Sequence, residues 1–255
     1  MKHTDRQAAD RGPSTTLGRA DGWAFLREAV RDLRTTGAVA PSGRALARTV
    51  TDPIRVRAPR PLSVLEAGAG TGAVTRALLP QLPRGSRLDI VEANPRFVAR
   101  LHDFLDAHPA PPARHIRVTV HQARVEDLDT EQRYDVIVSG LPLTNFTPDR
   151  VDRIMARYLD LLHPGGTLSY FAYLGTRRAR TLLASRAEAR RHAAVDAVTA
   201  AYRRRYATGR WTVLANLPPA HVWELRRPQA TGEQSGEQVD GQVDGQVDGQ
   251  AGHRR

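Results

Sequence analysis

Cysteine is absent from the 255-residue chain, which excludes disulfides and thiolate metal sites. No apolar run approaches the ~20 residues that a membrane-spanning helix needs. No signal-peptide pattern is present either, so the chain reads as cytoplasmic. His102, His108, His115 and His121 are six or seven residues apart, across a helix, a loop and a strand. That is not metal-ligand spacing, and they read as surface or incidental residues. Lysine is nearly missing: 37 of the 38 basic residues are arginine. The net charge is +11, and residues 229–255 carry five acids against two arginines, which leaves about +14 on residues 1–228. Such a body is drawn to polyanions, either nucleic acid or an anionic membrane surface. A compositional bias towards arginine accounts for part of that charge.

What is present has a clear order. Residues 1–20 are polar and aperiodic and read as disordered. Asp21 can cap a helix to about Arg34, with Trp23, Leu26, Val30 and Leu33 along one stripe and Arg27, Arg31 and Arg34 elsewhere. This helix either packs on the domain or lies in a membrane interface. Ser42 is an N-cap for a short helix ending near Val50, and 52–61 reads as a proline-rich connector. Strand candidates are 62–67, 87–92, 116–121, 134–139 and 167–174, alternating with helices 72–80, 95–107 and 148–162. His163-Pro-Gly-Gly166 ends the last of these helices. The alternation predicts an α/β fold with a mostly parallel sheet. A long helical region follows over 176–208, and ten arginines face two acids between Arg177 and Arg210. Strands 211–216 and 221–226 then form a hairpin. The tail from Gln229, with three Val-Asp-Gly-Gln copies, has too little apolar surface to order. Its Asp-Gly pairs are a weak match to any calcium loop.

The most informative stretch is Val64-Leu-Glu-Ala-Gly-Ala-Gly-Thr-Gly-Ala-Val-Thr75. An apolar run leads through Glu66 into Gly68, Gly70 and Gly72, and a helix pattern follows. This is a strand, a tight turn and a helix N-terminus, a frame for a ligand that approaches the backbone closely. The G-x-G-x-G spacing differs from the dinucleotide G-x-G-x-x-G. Twenty residues past Gly72, Glu92 ends the second strand, where a doubly wound fold holds ribose hydroxyls.

These two features resemble motifs I and II of class I S-adenosylmethionine (SAM)-dependent methyltransferases. The resemblance implies a Rossmann-like seven-stranded sheet closed by an antiparallel hairpin, with SAM as cofactor. Glu66, Gly68, Gly70, Thr71 and Gly72 would cradle its methionine part. Glu92, with Ala93 beside it, would bind the ribose, and Asn94 would lie beside the adenine. His121-Gln-Ala123 stands where many relatives have Gly-Asp-Ala, so Gln122 and Ala123 would meet the adenine amine.

Across the cleft, Ser139-Gly-Leu-Pro-Leu-Thr-Asn-Phe146 resembles the Asn-Leu-Pro-Tyr loop of ribosomal RNA adenine dimethyltransferases, with two departures. Gly140 replaces the asparagine that holds the amine, and Leu143 replaces the tyrosine that stacks on the flipped base. The set of this loop, Gly37-Ala-Val-Ala-Pro-Ser42, Pro164-Gly-Gly166, Phe171-x-Tyr173 and Asn216-Leu-Pro-Pro-Ala220 is similar to bacterial phospholipid N-methyltransferases. That likeness spans roughly residues 21–227, within one domain expected over 21–228, and implies methylation of phosphatidylethanolamine towards phosphatidylcholine at a membrane surface. Ser139, Leu141, Pro142 and Asn145 would line the transfer site, with Ser139 also near the cofactor. Tyr173, or Tyr170, would stabilise the methylated ammonium by a cation–π contact. The partners implied are a phospholipid and an anionic surface, docked by Trp23, Leu26, Val30, Leu33 and the Arg177–Arg210 region. The remaining readings are an RNA-modifying enzyme and a small-molecule methyltransferase of specialised metabolism.

Overall fold

The computed structural model describes residues 41–108, 115–174, 186–216 and 218–229. The helix expected over 21–34, the segment 1–20 and most of the repeat tail lie outside these residues, as do the arginines of 177–185.

One sheet of seven strands runs in the order β3-β2-β1-β4-β5-β7-β6. The strands are β1 (Ser63–Ala67), β2 (Arg87–Val91), β3 (Arg117–His121), β4 (Tyr134–Ser139), β5 (Leu162–Tyr173), β6 (Ala207–Val213) and β7 (Ala220–Arg226). The first five are parallel, and β7 enters antiparallel between β5 and β6. The order reverses between β1 and β4, and crevices outside strand carboxyl ends form at such a switch point. The α/β fold and the closing hairpin expected from the sequence are both present.

The helices are α1 (Pro41–Arg57), α2 (Ala73–Leu78), α3 (Pro95–Ala107), α4 (Pro148–Leu161) and α5 (Arg186–Tyr206). Each buries a stripe on one sheet face. Leu46, Val50 and Ile54 of α1, Leu78 of α2 and Leu101 of α3 join Val64, Leu88, Val136 and Val222 in one core. Val151, Ile154, Met155, Tyr158 and Leu161 of α4 and Val195 of α5 join Leu65, Ile137 and Leu168 in the other. Local chemistry sets the helix starts. Pro95 and Pro148 occupy first-turn positions, and the Asn94 side chain accepts the Arg96 amide at 3.0 Å.

Three sequence expectations change. The first helix does not stop near Val50, and the expected connector is helical as far as Arg57; Ser42 therefore lies inside its first turn. Pro53 costs that helix about 3 kcal/mol. Fully buried Ile54 extends the Leu46–Val50 stripe by another turn, and such burial contributes about 2 kcal/mol in return. The fifth strand begins at Leu162 rather than 167, with a register break: Tyr134 faces Leu162, but Val136 faces Thr167. His163 to Gly166 bulge out between those pairs. The final hairpin's first strand starts at Ala207, so helix α5 ends at Tyr206.

Candidate functional site

The parallel strands end along one rung. His121, Val91, Ala67, Ser139, Tyr170, Trp223 and Arg210 are successive partners across the sheet. The loops leaving that rung carry most of the residues singled out in the sequence. Gly68 N–H donates to Val91 O, and Gly140 N–H donates to Ala67 O, both at 2.8 Å, so two of these loops continue the ladder before they turn.

The glycine loop is shaped by backbone conformation. Gly68, Gly70 and Gly72 have φ of +74°, +56° and +79°, a region L-residues rarely adopt. A Cβ on Gly68 would sit 2.4 Å from Leu141 Cδ2, and one on Gly140 would sit 2.7 Å from Gly68 O. The two loops therefore interlock, and Gly140 has no room for a side chain. That is the physical reason an asparagine cannot stand there in this arrangement. A Cβ on Gly70 would meet nothing, so the loop presents open space above that residue.

Glu66 is buried beneath this loop. Its Oε2 accepts the Thr75 hydroxyl at 2.8 Å, and its Oε1 is buried without a partner. Its pKa is raised to about 7: burial pushes it up, the hydrogen bonds from Thr75 pull it partly back, and the Glu92 charge adds a smaller push upward. A buried carboxylate oxygen without a donor suits a cationic ligand group that would supply one. Glu92 straddles the loop ends: its Oε2 accepts Gly70 N–H at 2.9 Å and its Oε1 accepts Asn94 N–H at 2.8 Å. Thr71 O accepts Arg76 Nη1 at 2.8 Å. Ala93 and Gln122 are exposed, and Asn94 and Ala123 are half-buried beside them.

Opposite lies the β4 loop. Ser139 is buried, and its Oγ lies 2.8 Å from the Tyr158 hydroxyl while accepting Leu141 N–H at 3.3 Å. Leu141 and Pro142 are half-buried, and Leu143 is buried in the core beneath. Asn145 closes the turn through its amide to Pro142 O at 2.9 Å, and its Nδ2 is buried without a partner. Phe146 packs on the core with Arg150 4.2 Å above its ring. Tyr170 is core, 2% exposed, whereas Tyr173 is 43% exposed at the end of β5, edge-on to Phe171. Asn216 Nδ2 donates to Pro218 O at 2.6 Å, and Leu174 N–H donates to Pro219 O at 2.6 Å. Pro219 thus pins the end of β5. Among the described residues, no group of His, Asp and Glu could hold a metal, and no helix is long and apolar enough to cross a membrane.

Sequence reasoning missed Tyr158, Thr75 and Asp89. Tyr158 falls on the apolar stripe of α4, and a hydroxyl on a buried stripe requires a partner; that was the available signal. Asp89, fully buried, gathers Arg87 Nε at 2.8 Å, His121 Nε2 at 3.1 Å and the Tyr134 hydroxyl at 3.0 Å. His121 is therefore part of a structural cluster at the sheet edge rather than an incidental residue.

The model of a methyltransferase domain matches residues 64–166. An ornithine lipid N-methyltransferase from Singulisphaera acidiphila is 29% identical over 156 residues, covering 58% of this chain and 76% of that one. Among solved structures, the N-methyltransferase NodS from Bradyrhizobium japonicum with bound S-adenosylhomocysteine aligns with a TM-score of 0.57 at 16% identity, over 82% of this chain and all of that one. The 1,6-didemethyltoxoflavin-N1-methyltransferase of Burkholderia thailandensis aligns at 0.53 and 18%, over 85% and 94% of the two chains. At such identities these two structures speak to the fold alone.

Proposed function

Since the chain is a SAM-dependent methyltransferase, we propose that it methylates the amine of a phospholipid head group, phosphatidylethanolamine towards phosphatidylcholine, at a membrane surface. In this reading the partnerless Oε1 of Glu66 would accept the cofactor's ammonium, and Gly68, Gly70, Thr71 and Gly72 would hold the methionine part. Glu92 faces the ribose, with Ala93, Asn94, Gln122 and Ala123 around the base. SAM supplies an electrophilic methyl on a sulfonium.

The chain's own residues do the positioning. Ser139, Leu141, Pro142 and Asn145 would form the opposite wall, which the 2.8 Å Ser139–Tyr158 hydrogen bond braces. The acceptor amine must be neutral and in line with the methyl, so orientation and exclusion of water carry much of the rate. Tyr173, exposed at the end of β5, would meet the ammonium product by a cation–π contact.

The observation that carries the lipid reading is the interlocked loop. Gly140 has no room for a base-holding amide, and Leu143 is buried where a base-stacking ring would have to stand free. The sequence likeness to an ornithine lipid N-methyltransferase favours a lipid amine for the same position. Docking would fall to the helix expected over 21–34 and to the arginines of 177–205 other than Arg203. Exposed Trp211 and Leu214 on the final hairpin would add apolar contact.

The test is a lipidome. Cells expressing the chain should accumulate amine lipids carrying one, two or three extra methyls, and a Gly70→Arg variant should not. Unchanged lipids alongside newly methylated ribosomal RNA would sink this reading in favour of an RNA substrate.

A further inference from the structure

On that reading the acceptor is a zwitterion, and its anion needs a seat. We infer that Arg203, Arg210 and Trp223 form a site for the anionic half of an amine-bearing head group, a phosphodiester or a carboxylate. The three residues meet on the α5 side of the sheet, on the rung of Ser139. Trp223 is two strands from Ser139 and Arg210 is three, which sets Trp223 about 10 Å from the β4 loop at ordinary strand spacing. That is the length scale of an amino-alkyl head group with its flanking side chains.

Both guanidiniums lie against one indole. Arg203 Cζ is 4.8 Å and Arg210 Cζ is 5.4 Å from the Trp223 ring centroid. Stacking orients a guanidinium and leaves its in-plane N–H groups free for an oxyanion. Arg203 Nη1 spends donors only on the Tyr170 hydroxyl at 3.5 Å and Thr199 Oγ1 at 3.2 Å. Among the described ion pairs, neither arginine has a carboxylate. Glu224, next along β7, falls on the other face by strand alternation, near Arg226 and Arg57. The positive potential is felt locally: burial and then the charges of Arg210 and Arg203 hold His221 below its ordinary pKa. Its ring is edge-on to Trp223 at 6.3 Å. Two uncompensated, pre-oriented cations beside the transfer site fit a single anion better than a solvated helix face, which would carry its arginines apart.

The test uses the full chain with Arg203→Gln, Arg210→Gln and the double variant. Thermal melting and SAM titration serve as folding controls. Initial rates are measured on vesicles of phosphatidylethanolamine, of an ornithine lipid (whose anion is a carboxylate), and of a dialkylglycerol amine that has neither anion. The double variant should raise KM roughly ten- to a hundredfold on the lipid whose anion the site holds, with kcat and SAM affinity within about twofold. Rates on the anion-free amine should not move. The lipid that suffers identifies the anion as phosphate or carboxylate. Equal loss on the anion-free amine, or no loss on either zwitterion, overturns the inference.

Calorimetric titration with glycerophosphoethanolamine and with free ornithine separates this proposal from the parent reading. Loss of head-group binding in the double variant supports the site even if no lipid is methylated. A wild-type chain that binds neither, or binds single-stranded RNA through these arginines instead, refutes it.

Discussion

Glu66 gives the most quantitative handle on the site. Its pKa rises from the ordinary 4.5 to about 7, chiefly because burial penalises the charge. The sign follows from linkage. A folded-state pKa above the unfolded one means that the native state holds the proton more tightly, so stability is greatest below pH 4.5. It is lost as pH rises through 7, by about 3 kcal/mol once ionisation is complete. Cofactor binding works in the opposite direction, because an ammonium pairs with the ionised carboxylate. Below pH 7 binding must expel a proton, so affinity for S-adenosylhomocysteine should rise roughly tenfold from pH 5.5 to 7. Glu66→Gln removes both effects. It should stabilise the ligand-free protein by up to about 3 kcal/mol at pH 8 and hardly at all at pH 5. It should also weaken the cofactor by roughly ten- to a hundredfold and flatten the pH profile. Calorimetric titration and urea melts across this pH range read both quantities. A flat wild-type affinity profile, or a Gln variant less stable than wild type at pH 8, would refute the reasoning.

Further outcomes follow from the same contacts. Gly140→Ala places a methyl 2.7 Å from Gly68 O; it should cost about 1–3 kcal/mol in stability and weaken SAM binding, both read by thermal shift with and without ligand. Tyr158→Phe and Ser139→Ala should each cost about 1 kcal/mol, and the double variant should cost less than their sum in urea melts. Asp89→Asn leaves Arg87 and His121 without their buried carboxylate and should destabilise by about 3 kcal/mol in denaturant, with SAM affinity nearly intact.

The parts of the molecule legible in the sequence are those set by neighbours in the chain. The glycine turn between β1 and α2 is a local event, with apolar run, positive-φ residues and helix stripe inside twelve residues, and the strand–helix alternation fixes a parallel sheet. The sequence pattern ends helix α1 too early because Pro53 is a local stop signal, whereas Ile54 is buried by distant strands that no local window shows. The Ser139–Tyr158 bond spans 19 residues and the Asp89–Tyr134 bond 45, so each partner looked like an ordinary polar or core residue in its own segment. Arg203 read as one of many helix arginines until β7 brought Trp223 beneath it.

The central claim is that the methyl acceptor is a lipid amine. It is tested most directly by incubating the purified chain with methyl-labelled SAM and anionic vesicles that contain phosphatidylethanolamine, then separating the extracted lipids by methylation state. Label in mono-, di- or trimethylated head groups is the result predicted here. A chain that binds SAM yet leaves the lipid fraction unlabelled, while labelling RNA or a soluble amine, would contradict it.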